Sequence, residues 1–164
     1  MEWLLLTSGP HQGKSLPEVF LQDAGYVVQA VERGELQGAL LDQAREVCRL
    51  AARVRAPVQD GEDVDVVVFY RLLPDGQYGG HSVVRKSDRK LSSHRRFSQA
   101  ETDCCFDLLM PMRIAPADPD APMAMVRVLK WLVLGNPHAV VSRRDCEGFF
   151  DNPDNFLVEA ERGA

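Results

Sequence analysis

The order of apolar and polar residues in the first third of the chain predicts one short strand followed by three helices. Residues 2–7 form an apolar run that ends at a Ser-Gly-Pro turn, which is typical of a strand entering a turn. Ser15 precedes Leu-Pro-Glu, the pattern of a capped helix start. Asp23 can cap a second helix over residues 24–32. A third helix over residues 36–55 carries an apolar stripe at helical spacing.

The remaining chain predicts a hairpin, a further strand and one long helix. Residues 64–73 are dense in Val, Phe and Tyr and predict a strand, which ends at a Pro-Asp-Gly turn. Residues 77–86 can return as the second strand of that hairpin. The apolar segment 104–114 predicts another strand, and residues 123–134 predict a helix that stops at a Gly-Asn-Pro sequence.

Together these elements predict an α+β protein built from two parts. A small strand-plus-helices module spans residues 1–56, a polar and acidic linker spans residues 57–63, and an α+β region spans residues 64–164. In the second part we expect an antiparallel sheet with one long helix packed against it. At 164 residues the chain is long enough for one well-filled core, which the two parts could share.

Composition adds an acidic balance to this picture. The formal net charge of −5 argues against a protein that coats DNA through its overall charge. No apolar run approaches the roughly 18 residues that a membrane span needs, and the N-terminus lacks the basic flank of a signal peptide. We therefore expect a cytoplasmic protein without a membrane partner. In that compartment the four cysteines would be reduced thiols and not disulfides.

One short segment departs from the acidic balance. Six of the nineteen basic residues lie between positions 85 and 96, and only Asp88 opposes them. These twelve positions carry about +5, and the rest of the chain about −10, so they can attract polyanions that the whole chain would repel. We call the six residues the basic tract; they are Arg85, Lys86, Arg89, Lys90, Arg95 and Arg96.

The basic tract is predicted to start at the end of the hairpin and to continue through a serine-rich loop to Phe97. Cations that contact phosphates, beside an aromatic ring on which a base can stack, are the general requirement for binding single strands. Tyr70 and Tyr78 on the hairpin could extend the stacking surface. Duplex or single-stranded nucleic acid, DNA or RNA, would fit this description. A protein with an acidic surface and plain solvation of the loop are the alternatives.

A second basic position lies in a glycine-led pattern near the N-terminus. The pattern consists of Gly9, Gly13, Lys14, Val19, Asp23, Gly25 and Tyr26. Over residues 3–50 it resembles the small module at the C-terminus of exonuclease X-type DNA exonucleases, which also occurs as stand-alone bacterial proteins. The chain departs from that family at Pro10 and Gln12, where lysines are usual, and at Gln29, near the usual aromatic of the second helix.

The resemblance implies an accessory, nucleic-acid-associated module without catalytic residues of its own. The two glycines would let the turn bring backbone N–H groups and Lys14 close to a phosphate. The two missing lysines weaken this prediction, because affinity for a polyanion grows with the number of phosphates that are neutralised. The alternative is a tight turn in which Lys14 is simply solvated.

No pattern in the sequence points to catalysis. Residues 12–15 read Gln-Gly-Lys-Ser, the end of a Walker A motif, but no glycine stands five residues before Gly13. Cys104 and Cys105 are adjacent, which is poor spacing for a zinc site. No Gly-x-Ser-x-Gly motif positions a nucleophile. We therefore expect no enzyme, no metal and no cofactor.

The C-terminal segment supports a different hypothesis. Residues 145–161 carry six acids and no base, with Phe149, Phe150 and Phe156 between them. Such a segment could imitate a phosphate backbone or dock a basic partner, with the three rings as anchors. The protein would then be an interaction adaptor or inhibitor. Alternatively, the segment packs its phenylalanines onto the domain.

Overall fold

The computed structural model describes residues 1–56 and 65–157, so the predicted linker at 57–63 lies outside the described residues. Within those ranges the chain forms seven α-helices, five β-strands and one short 3-10 helix, which confirms the α+β class. The helices are α1 (Leu16–Gln22), α2 (Ala24–Glu32), α3 (Gly38–Ala51), α4 (Leu91–Phe97), α5 (Met110–Ile114), α6 (Ala121–Leu134) and α7 (Arg143–Asp151), with the 3-10 helix at Pro153–Asn155. The strands are β1 (Val54–Arg55), β2 (Val66–Leu72), β3 (Tyr78–Arg85), β4 (Ala100–Asp103) and β5 (Cys105–Phe106).

The glycine-led turn folds the N-terminal segment back onto the start of α1. Gly9 and Gly13 adopt φ angles of 84° and 82°, the left-handed region that favours glycine. The strand predicted over residues 2–7 is reduced to a single antiparallel bridge between Leu5 and Ser15. It is so short because the chain reverses directly into the turn.

The two short helices follow their predicted caps in part. The Asp23 carboxylate accepts a hydrogen bond from the Tyr26 N–H at 3.1 Å, which confirms Asp23 as the cap of α2. Ser15 stands at the N-cap of α1 in an extended conformation, but its hydroxyl makes no capping bond. The third helix is shorter than predicted and spans Gly38–Ala51.

Strand β2 is the centre of a three-stranded antiparallel sheet with the order β3–β2–β4. Its side chains alternate between two apolar clusters, so residues 66–70 are all buried. Val66, Val68 and Tyr70 belong to the main core, which the N-terminal helices share. Val67 and Phe69 belong to a smaller cluster on the opposite face, where Leu91 of α4 packs. Helix α4 therefore covers the face of the sheet that points away from the main core.

The two predicted parts of the chain share one hydrophobic core. Phe20 and Val47 from the first part belong to the same buried cluster as Phe106, Met125 and Phe150 from the second. β1 pairs with β5, and α1 and α2 pack against α7 and α6. The boundary between the two parts is therefore a change in sequence composition, because residues from both sides of it belong to the same core.

Two segments differ from their predicted secondary structure. The expected loop that carries the basic tract contains α4, because Leu91 and His94, three residues apart, both reach the sheet. The expected strand 104–114 is a strand only at Cys105–Phe106. Asp107 then accepts a hydrogen bond from the Leu109 N–H at 2.9 Å, which turns the chain into α5.

Helix α6 begins two residues earlier than predicted. It packs against α2 and α5, and it reaches the sheet at Tyr78, whose hydroxyl lies 3.5 Å from the Met125 sulfur. Neither α6 nor any other helix in the described ranges is both long and apolar enough to cross a membrane.

Candidate nucleic-acid interface

Helix α4 carries two of the six residues of the basic tract, Arg95 and Arg96, in a defined orientation. Its start is held by Asp88, whose carboxylate accepts a hydrogen bond from the Lys90 N–H at 2.9 Å. The His94 ring stacks on Phe69 with centroids 5.8 Å apart, and Leu91 packs into the same cluster. These two contacts fix which face of α4 meets the sheet. The other side chains of this short helix consequently face the solvent.

Two of the tract cations are neutralised by strand β4. Lys86 lies 3.6 Å from the Asp103 carboxylate, and Arg95 lies 3.3 Å from the Glu101 carboxylate. All four side chains are substantially exposed, so each pair is weak and screened by salt. The charge that the sequence concentrates in the tract is thus partly cancelled by the adjoining strand.

The other four tract cations are exposed and have no ion-pair partner within residues 1–56 and 65–157. They are Arg85, Arg89, Lys90 and Arg96. Arg85 closes β3, Arg89 and Lys90 lead into α4, and Arg96 lies in its last turn, where a cation also complements the helix dipole. Arg85 lies opposite Val66, at one end of β2 and on the face of the main core. Arg89, Lys90 and Arg96 lie beside or on α4, whose C-terminal end leads to Tyr70 at the other end of β2.

An exposed aromatic ring stands at the end of this cationic surface. The Phe97 side chain is 71% exposed. The Arg96 guanidinium carbon lies 5.9 Å from the centroid of that ring, within the range of a cation–π contact. A flat ring and a flat guanidinium group, both open to solvent, can each stack on a nucleobase. We call Arg89, Lys90, Arg96 and Phe97 the α4 surface; Arg85 points to the opposite face of the sheet.

Lys14 does not belong to this surface. The N-terminal helices pack on the opposite face of the sheet, and the Lys14 amine donates a hydrogen bond to the Gln22 side chain at 2.6 Å. Three backbone N–H groups of its turn are also bonded already: those of Gln12, Gly13 and Lys14 donate to the carbonyls of Gly9, Leu6 and His11 at 3.2, 2.8 and 3.1 Å. These three N–H groups are therefore not free to meet a phosphate, and the role of Lys14 in binding nucleic acid stays a prediction.

The two tyrosines that could have extended the stacking surface are held inside. Tyr70 is fully buried; its oxygen accepts a hydrogen bond from the Asp107 N–H at 2.8 Å, and burial raises its pKa to about 12. Tyr78 is half-buried against α6, and its burial also raises its pKa. Tyr70 is closed to a base and Tyr78 is only partly exposed, so Phe97 is the most exposed of the three predicted rings.

The phenylalanines of the acidic segment form part of the core. Phe150 and Phe156 are 4% and 3% exposed, and Phe149 packs between them. Phe150 also meets Trp3 and Phe20 edge to face, with centroids 6.4 and 5.9 Å apart. An anchor residue must offer its ring to a partner, and the rings of Phe150 and Phe156 are covered by the core, while Phe149 is partly buried. The role of these rings as partner-binding anchors stays a prediction that their burial does not favour.

The cysteines and the buried aspartate outside this surface have environments that serve packing and hydrogen bonding within the fold. Burial raises the pKa of Cys48 and Cys146 to about 11, which keeps both thiols protonated and weakly nucleophilic. Burial also raises the pKa of Asp107, whose carboxylate pairs with Arg113 and holds the start of α5. The described residues contain no cluster of three or more histidine, cysteine, aspartate or glutamate side chains that could hold a metal.

The sequence contained a signal for the geometry of the α4 surface. Leu91 and His94 have helical spacing, and the cations lie between and beside them. The neutralising acids of β4 carry no such signal, because strand pairing decides which charges they meet.

No protein-family model matches this chain, and neither a curated protein nor a solved structure is similar to it.

Proposed function

We propose that this protein is a non-catalytic nucleic-acid-binding protein that holds single strands on the α4 surface. The observation that carries the proposal is the exposed Phe97 ring beside the Arg96 guanidinium, at the end of a group of cations that have no ion pair among the described residues. The cations would contact phosphates, and the ring would stack on a base.

Electrostatics support a local binding site on an acidic protein. The three cations of the α4 surface would release counterions from about three phosphates, so the logarithm of affinity should fall with the logarithm of salt with a slope of about −2. Lys86 and Arg95 would add little at first, because Asp103 and Glu101 already neutralise them. The acidic remainder of the chain would disfavour non-specific coating and restrict contact to this surface.

The ring favours unpaired bases over duplex. A base can stack on Phe97 only if it leaves the helical stack, and single strands offer such bases at low cost. An acidic protein could satisfy the cations but would gain less from an aromatic ring beside them. The interaction-adaptor alternative is not favoured, because its anchors Phe150 and Phe156 are buried.

The test is fluorescence anisotropy with a labelled single-stranded oligonucleotide over a range of salt concentrations. Replacing two unpaired cations, as Arg89→Ala/Arg96→Ala, should weaken binding about tenfold at low salt and flatten the salt slope by about 1.4. The matched control is Arg33→Ala/Arg144→Ala, which removes two exposed arginines from other parts of the surface and changes net charge equally. Equal weakening by both double variants would refute a local site.

Two further variants separate base stacking from charge. Phe97→Ala should weaken oligonucleotide binding about fivefold or more, because one stacked base is lost, yet leave binding of polyglutamate unchanged. Glu101→Gln should release Arg95 and strengthen binding about twofold. If Phe97→Ala binds the oligonucleotide as tightly as the native chain, the stacking role is excluded.

A further inference from the structure

The two edges of the three-stranded sheet differ in their protection. Strand β4 is only four residues long and carries two acidic side chains, Glu101 and Asp103. Short length and charged side chains both keep a sheet edge from pairing with another strand. Strand β3 is eight residues long, has no proline, and has no acid or Lys/Arg before Arg85. Among the described residues, β3 pairs only with β2. Its outer edge therefore offers backbone groups for a further strand.

The hydrogen-bond register identifies which groups these are. The Lys86 N–H donates to the Asp65 carbonyl at 2.9 Å, so position 86 points toward β2. The side on which backbone groups point alternates along a strand, so positions 84 and 82 also point inward. On the far side of β2, the Val66 carbonyl accepts from the Cys104 N–H, as this alternation requires. The N–H and C=O groups of His81 and Val83 consequently point outward.

At both ends of this outer edge, a backbone group already has a hydrogen-bond partner within the chain. At one end the Asp118 carboxylate accepts a hydrogen bond from the Tyr78 N–H at 2.9 Å. At the other end the Arg85 carbonyl accepts from the Asp88 N–H at 2.8 Å. The free edge thus spans residues 79–85, with His81 and Val83 at its centre. Val83 is also 44% exposed, which leaves an apolar side chain beside the open backbone groups.

We propose that a second copy of this chain pairs with this edge, antiparallel strand β3 against strand β3, to form a six-stranded sheet. The edge is self-complementary when His81 of each copy lies opposite Val83 of the other, because each outward N–H then meets an outward C=O. In this register Arg85 and Lys86 lie beside the end of the other copy's β3, where the strand is irregular at Gly79 and Gly80 and begins at Tyr78. The Asp118 carboxylate stands at that point, so each cationic end meets an acidic one.

The same register has a consequence for the α4 surface. The two-fold axis of an antiparallel strand pair is perpendicular to the sheet, so both copies of α4 lie on one face of the extended sheet. This consequence rests on the proposed function, because two α4 surfaces on one side would let a single strand contact both. The dimer itself is independent of nucleic acid and can be tested without it.

The first experiment is sedimentation equilibrium of the full chain, alone, over a series of protein concentrations. The native protein should shift from 18.3 kDa toward twice that mass. Val83→Pro removes one outward N–H from each copy without touching the β2–β3 ladder, and it should raise the dimer dissociation constant about thirtyfold. Val83→Thr, which keeps the N–H, is the matched control and should dimerise like the native chain. Circular dichroism checks that both variants fold; should the proline variant unfold, Val83→Lys places a charge on the same edge and serves in its place.

The second experiment tests the register. Ser82 would lie directly opposite Ser82 of the other copy at a narrow, non-hydrogen-bonded pair, where the Cα separation of about 4.5 Å suits a disulfide. Under mild oxidation Ser82→Cys should give a covalent dimer, and Ser93→Cys on α4 should not exceed the background of the native cysteines. A native chain that stays monomeric at every concentration would overturn the proposal. So would a dimer that Val83→Pro leaves intact, or one in which Ser82→Cys forms no crosslink.

Discussion

The glycine-led turn at residues 8–14 and the α4 surface were both predicted to meet phosphates, and they are built in opposite ways. In the turn, three successive N–H groups donate to backbone carbonyls of the turn or of Leu6 just before it, and the Lys14 amine donates to the Gln22 side chain. On α4, the side chains of Leu91 and His94 are used for packing, and the cations around them are left to the solvent. The first region therefore uses its polar groups for folding, and the second keeps them for a ligand.

This difference teaches that a basic residue indicates a binding site only when the hydrogen bonds and ion pairs that it makes within the fold are known. Lys14 has a fixed partner at hydrogen-bond distance, so a phosphate would have to compete with the Gln22 side chain. Arg89 and Arg96 have no ion pair within the described ranges, so a phosphate would replace only water. The same reasoning separates Phe97 from Phe150, since one ring is open and the other is packed on all sides.

The largest expected effect separates these two phenylalanines. Phe150→Ala should lower the free energy of unfolding by about 3–5 kcal/mol, because it opens a cavity among four aromatic neighbours. Phe97→Ala should change it by less than about 0.5 kcal/mol, since the exposed ring has little packing to lose. Urea denaturation monitored by circular dichroism measures both values. Comparable losses in the two variants would contradict the distinction between a packed ring and an open one.

A smaller effect is expected in the glycine-led turn. Gly9→Ala should destabilise the protein by about 1–2 kcal/mol, because Gly9 has a φ angle of 84° and a side chain there would meet the Tyr26 hydroxyl at 3.2 Å. Gly148→Ala is the matched control: position 148 lies in α7 with open space around it and should gain about 0.5–1 kcal/mol of stability. Thermal unfolding gives the sign of both changes. A neutral Gly9→Ala would show that the turn is not held in this conformation.

How much of this could be predicted from the sequence depends on how local the cause is. Asp23 caps α2 through its own neighbours, and the β2–β3 hairpin is formed around its own turn, so both were predictable. The neutralisation of Lys86 and Arg95 depends on β4 pairing with β2, which no local pattern specifies. The burial of Phe150 depends on Trp3, almost the whole chain away. The sequence shows which residues are charged or aromatic, but not which residues of the fold they contact, and these contacts determine whether they are free to bind a ligand.

The third prediction compares the two basic regions directly. Lys14→Ala should leave affinity for a single-stranded oligonucleotide unchanged, whereas Arg96→Ala should weaken it about threefold and reduce the salt slope by about 0.7. Both substitutions remove one positive charge, so each serves as the control for the other. If Lys14→Ala weakens binding as much as Arg96→Ala, the turn takes part in binding and the contrast between the two regions fails.

The smallest expected effect concerns the pH dependence of stability at the sheet edge. His81 packs against Phe106, and both its burial and the nearby Arg71 guanidinium lower its pKa. As the pH falls below the ordinary histidine pKa of about 6.5, the unfolded chain binds a proton at this ring before the native chain does. Unfolding should therefore become easier with falling pH, and His81→Phe should reduce that slope by removing the titrating group and keeping an aromatic contact. Urea midpoints measured between pH 5 and pH 7 for both proteins check the slope, and an NMR titration of the His81 ring checks its cause. A titration midpoint for that ring at or above the ordinary histidine pKa would contradict this cause, because it would mean that water reaches His81 from the open edge of β3. The face of β3 next to Phe106 would then be exposed to solvent, as the α4 surface is.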